Sequence, residues 1–149
     1  MKIIFIMLFC LNFLLALLDD ITVEIRAYPD GYIEKKYFSK GELVGLITIN
    51  DLGKIVSKEG TLPDGRARAY YNDGTIALEE NINHGKLEGK SANYYENSNI
   101  RSEYYYKQDV LDGQIKKYYE SGAVHFVSAY RKGIKIATQE YAENGDLLD

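Results

Sequence analysis

Apolar and polar residues alternate with a period of two along most of this chain. Ile100, Ser102, Tyr104 and Tyr106 fall on one side of a strand, and Arg101, Glu103 and Lys107 on the other. Val124, Phe126, Ser128 and Tyr130 alternate in the same way with His125 and Arg131. Ahead of these runs, Ala67, Ala69 and Tyr71 alternate with Arg66, Arg68 and Tyr70, and Ile115, Lys117 and Tyr119 with Gln114, Lys116 and Tyr118. The pattern predicts strands with one buried face, on which Ile76, Ile100 and Val124 are expected to pack. Asn-Asp-Gly at 72 to 74, Glu-Ser-Gly at 120 to 122 and Glu-Asn-Gly at 143 to 145 each supply a residue able to take positive φ, as tight hairpin turns require.

The strands recur as a unit. Gly65, Gly89 and Gly113 stand 24 residues apart, and each is followed at fixed offsets by a tyrosine pair: Tyr70 and Tyr71, Tyr94 and Tyr95, Tyr118 and Tyr119. A turn residue follows (Gly74, Ser98, Gly122), then Ile82, Tyr106 or Tyr130, then Gly85, Asp109 or Gly133. Weaker copies flank these, giving approximate repeats at 22–44, 45–64, 65–88, 89–112 and 113–136 and a partial one at 137–149. One hairpin per repeat predicts an all-β fold, a single elongated twisted antiparallel meander. Adjacent tyrosines on a strand put one ring on each face. Tyr71, Tyr95 and Tyr119 are expected inside, while Tyr70, Tyr94 and Tyr118 form an outward row suited to binding another protein.

Residues 1–20 break the pattern. Lys2 precedes an apolar run over 3–18 interrupted only by Asn12. As a helix this run spans about 24 Å, short of the roughly 30 Å of a bilayer core, so a signal peptide and export to the periplasm, envelope or medium are expected. The alternative is an uncleaved leader that anchors the chain to a membrane. The lone cysteine, Cys10, lies in this segment, which leaves no disulfide and no cysteine-based zinc site for the repeats. A net charge of -4 gives no basic face for nucleic acid. Exposed sheet edges make an edge-to-edge homodimer feasible.

Candidate chemistry is sparse. His84 is expected in a turn beside Gly85, and His125 on the face opposite Val124 and Phe126, so the two do not converge. Glu79 and Glu80 point to opposite faces of a strand, as neighbours must. Glycines are spread one per turn and not gathered in a phosphate-binding loop. The expectation is a protein without enzymatic activity, metal or cofactor.

The skeleton carried by Gly113, Tyr118, Tyr119, Gly122, Val124, Tyr130 and Gly133 resembles the MORN-repeat variant of bacterial YwqK-type, antitoxin-like proteins. The Gly65 unit matches nearly as well, and in the Gly89 unit Ser98 and Asp109 replace both turn glycines. The resemblance implies a scaffold that binds another protein, with neutralisation of a toxin as one form of that role. MORN repeats elsewhere are linked to membrane attachment, but this chain lacks the basic face that anionic lipid would attract, and a peripheral membrane or cell-surface organiser is expected only if an uncleaved leader holds it.

Overall fold

The computed structural model describes residues 21–148, and the expected signal segment at 1–20 lies outside them. Within that range every regular element is a strand. In chain order these are β1 (Ile21–Ala27), β2 (Ile33–Ser39), β3 (Glu42–Ile49), β4 (Ile55–Gly60), β5 (Gly65–Tyr70), β6 (Ile76–Asn83), β7 (Lys86–Leu87), β8 (Gly89–Tyr94), β9 (Ile100–Lys107), β10 (Val110–Leu111), β11 (Gly113–Tyr118), β12 (Val124–Arg131), β13 (Ile134–Tyr141) and β14 (Leu147–Leu148). All belong to one sheet of consecutive hairpins, as the alternation predicts.

Six hairpin turns are built alike. Ala27↔Ile33, Ile49↔Ile55, Tyr70↔Ile76, Tyr94↔Ile100, Tyr118↔Val124 and Tyr141↔Leu147 are the last strand pairs before each turn. Inside each, an N–H donates to the carbonyl three residues back: Gly31 to Tyr28, Gly53 to Asn50, Gly74 to Tyr71, Ser98 to Tyr95, Gly122 to Tyr119 and Gly145 to Ala142. Ser98, at φ 66°, takes the left-handed conformation at the place where glycine takes it in the other copies, at 80° to 92°. The opposite end of the sheet carries two-residue turns at Lys40-Gly41, His84-Gly85, Gln108-Asp109 and Lys132-Gly133, with both residues at positive φ. This is the geometry whose twist matches paired strands.

Two features of the sheet differ from a simple meander. Its order is β4-β3-β2-β1-β5-β6-β8-β9-β11-β12-β13-β14, with β7 on β6 and β10 on β9. The first four strands therefore run outward from β1, and β1 pairs with β5 in parallel through Ile21↔Ala67 and Thr22↔Arg68. The sheet is mixed at that one ladder because it is two meanders joined at their first strands.

The second feature follows from the first. β4 and β5 have three strands between them, which in a flat sheet means about 19 Å. The chain from Gly60 to Gly65 reaches at most about 18 Å when fully extended. A flat sheet is thus excluded, and β1–β4 curl back over the face of β5–β12. Tyr37, Ile47, Leu62, Leu78 and Leu87, each no more than 1 % exposed, fill the space between the two layers. Polar bonds also cross it: Lys58 Nζ donates to Asp109 Oδ2 (2.6 Å) and to the Gly85 carbonyl (2.7 Å), and the Tyr106 hydroxyl to the Gly53 carbonyl (2.6 Å). The inner row is not wholly apolar. Glu80 accepts bonds from Lys35 Nζ (2.7 Å), the Ser91 hydroxyl (3.1 Å) and the Tyr37 hydroxyl, all buried. Burial first, then the Glu80 charge, pushes the Tyr37 hydroxyl well above its ordinary pKa.

Candidate functional site

The parallel ladder between β1 and β5 lasts for two residue pairs and then stops. Beyond it β1 stays with β2 and β5 with β6, so the layers splay and leave a cleft of about 920 Å³. The six similar turns all cap strands that run in the same direction as β1 and β5. The cleft opens toward that end of the sheet.

Tyrosine dominates its walls. Eight of the fourteen tyrosines line it: Tyr28 and Tyr32 from the first hairpin, Tyr70 and Tyr71, Tyr94 and Tyr95, Tyr104, and Tyr118. The three outward tyrosines read from the sequence, Tyr70, Tyr94 and Tyr118, thus come together in one lining. Tyr71, Tyr95 and Tyr119 have another task. The Tyr71 hydroxyl donates to the Tyr94 carbonyl (2.5 Å), Tyr95 to the Tyr118 carbonyl (2.7 Å) and Tyr119 to the Tyr141 carbonyl (2.8 Å). Each second tyrosine therefore fastens its repeat to the backbone of the next. Tyr130 is buried at the foot of the inner row, and Gly65, Gly89 and Gly113 take φ of 141°, 77° and 138° where each long repeat strand begins.

One structural device escaped the sequence reading. At the same place in each repeat the register slips by a residue, between Ala69 and Tyr70, Asn93 and Tyr94, and Lys117 and Tyr118. The pairing skips Ala77, Arg101 and His125, which is the signature of a β-bulge. All three skipped residues line the cleft. The bulge also corrects the assignment of faces. Ile76, Ile100 and Val124 sit opposite the first tyrosines, outside the core, and Ala77 packs on the core in place of Ile76. Arg101 and His125, expected on the outward face, instead meet the second tyrosines. The guanidinium carbon of Arg101 lies 5.9 Å from the Tyr95 ring centre, and the His125 ring lies 4.4 Å from that of Tyr119. His125 Nε2 is 3.1 Å from Glu140 Oε1, while His84 sits exposed in a turn at the far end.

Charge within the cleft is divided between its walls. Arg101 and Lys117 stand on the repeat side; the Lys117 ammonium is 5.8 Å from the Phe126 ring and donates to the Asp51 carbonyl (3.1 Å). Neither cation forms an ion pair among the described residues. Glu24 and Asp51 stand on the β1–β4 side, together with Lys35, whose charge is matched by the buried Glu80. The Tyr118 hydroxyl donates to Glu103 Oε2 (2.8 Å), and desolvation followed by that bond pushes its pKa up to about 12. Among the described residues no three His, Cys, Asp or Glu side chains gather as a metal site. The arrangement offers rings, a few fixed charges and unpaired strand edges.

Compared with known families, residues 87–108 match the MORN repeat variant. The stretch runs from the end of β7 through β8 and β9 with the turn between them, and includes Ser98 in place of the turn glycine. No curated protein matches the chain.

Proposed function

We infer that this chain is a non-enzymatic binding protein whose tyrosine-lined cleft receives a segment of another protein. The observation that carries the reading is the convergence of Tyr70, Tyr94 and Tyr118 with five further tyrosines on one open cleft. Tyrosine gives a large amphipathic contact at low entropic cost, and exposed rings at fixed spacing suit recognition better than catalysis. Lys2 and the apolar run over 3–18 support export of the chain, with the partner met in the envelope or outside it. The narrower antitoxin role rests on the family resemblance, and co-expression with the product of the neighbouring gene tests it through rescue of growth.

Replacing Tyr70, Tyr94 and Tyr118 together with serine should abolish co-purification of the partner from the native source. Each of the three is at least partly exposed, so the fold, followed by circular dichroism, should survive. Undiminished co-purification by the folded triple variant would remove the cleft from the account. Fractionation with N-terminal sequencing tests export, since a soluble product lacking the first eighteen or so residues excludes an uncleaved anchor.

A further inference from the structure

Resting on that reading of the cleft, we propose that the partner enters it as an extended strand, paired to the free edge of β1, and presents an acidic side chain to Arg101 and Lys117. The edge is set by the first hairpin. The Tyr28 N–H bonds the Tyr32 carbonyl (2.8 Å), so antiparallel alternation turns the backbone groups of Glu24 and Arg26 toward β2. Those of Ile25 and Ala27 point the other way, where β5 has already departed. Past Thr22 and Arg68 neither strand has a ladder partner on the cleft side. The free length of β1, residues 23–27, is about 16 Å, room for a strand of about five residues.

The surroundings match such an occupant. Ile25, Tyr32 and Tyr70 are 42 %, 41 % and 38 % exposed, an apolar fringe on an open edge of the kind that proteins otherwise cover or charge. Strand addition satisfies the backbone, and the rings on either side select alternate side chains. Charge selects a further one. Arg101 and Lys117 share the repeat wall and lack carboxylates of their own, so an Asp or Glu on the entering strand completes both.

The test begins with peptides selected on the full chain from a phage-displayed library of random sequences. The expected winners alternate apolar and polar residues and carry at least one acid. N-methylation along a selected peptide should weaken binding about tenfold at alternate amides and hardly at all between them, because only every second N–H of a paired strand faces β1. Ile25→Pro removes a cleft-facing N–H, a substitution that edge strands tolerate, and should cost about tenfold beyond Ile25→Ala. Arg101→Glu with Lys117→Glu should reverse the preference for acidic peptides. A flat N-methylation profile overturns strand pairing whether or not Ile25→Pro folds, and so does failure to select any peptide that competes at the cleft. Peptides bound equally by the Tyr70, Tyr94 and Tyr118 serine variant overturn the cleft reading itself, so the two failures are distinguishable.

Discussion

Glu80 occupies a place in the alternation where an apolar residue would be ordinary, between the buried Leu78 and Ile82. Its carboxylate is tolerable there because Lys35, Tyr37 and Ser91 all donate to it. A buried ion pair contributes little net stability, whereas a buried charge left alone is costly. Glu80→Ala should therefore cost about 3–5 kcal/mol in urea unfolding, because it strands the Lys35 ammonium. Combining it with Lys35→Met should recover much of that loss. A single substitution costing less than about 1 kcal/mol would mean that Lys35 escapes to water and that the layers are held by apolar contact alone. The sequence shows that Glu79 and Glu80 face opposite ways, and they do: Glu79 bonds Arg68 Nε (2.8 Å) on the outside. Nothing local announces Lys35 as the partner of Glu80. The pair spans 45 positions and exists only because one layer folds over the other.

At the scale of the element, the hairpin unit is held by its turn, its bulge and its links to the next copy. The turn was legible, since glycine and short polar residues mark positions that need positive φ. The bulge was not. Tyr70 to Ile76, Tyr94 to Ile100 and Tyr118 to Val124 have one spacing whether the pairing slips or runs straight, so the residue skipped, and with it the cleft-facing Arg101 and His125, is invisible in the pattern. Links between copies run through side chains as well as the backbone. Glu103 on β9 accepts bonds from Lys90 on β8 and from the Tyr118 hydroxyl on β11. Desolvation raises the Glu103 pKa, but the bonds from Lys90 and Tyr118 outweigh it and leave the carboxyl below its ordinary value of 4.5. A carboxyl depressed by folding stabilises the fold at pH above its unfolded value, and that contribution is lost as pH falls through the folded value. Unfolding midpoints should accordingly decline more steeply below pH 4.5 in the wild type than in Glu103→Gln, which starts less stable and has no such proton to take up. Parallel pH profiles for the two proteins would dismiss this cluster as a link between repeats.

For the whole molecule, the decisive event is the return of β1–β4 over the later repeats, which turns a sheet with one bare face into a core and a cleft. The repeat pattern says what the strands are and leaves open which way the first four run from β1. The β1–β5 ladder answers that question, and once β4 lies three strands from β5 the short stretch 61–64 reaches β5 only if the sheet curls. Gly53 lies where the returning layer lands, in the turn between β3 and β4. Its φ is 80°, its carbonyl accepts the Tyr106 hydroxyl, and a Cβ there would lie 2.5 Å from two carbons of the Tyr104 ring. That ring is 8 % exposed and stacked near Tyr106, with centres 6.4 Å apart, so it has little freedom to yield. Gly74 fills the same place in a later turn at φ 86°, yet a Cβ there meets nothing within 4 Å. Gly74→Ala thus measures backbone strain alone, about 1 kcal/mol, while Gly53→Ala adds the overpacking of Tyr104 and should cost about 2–4 kcal/mol. The excess should be local to the closure. Hydrogen exchange should quicken in β3 and β4 while β8, β9, β11 and β12 keep their protection, since the later repeats still bond one another through Tyr71, Tyr95 and Tyr119. Equal costs for the two glycine substitutions, or a uniform loss of protection, would show that the layers do not close on the Tyr104 and Tyr106 rings as a separable step.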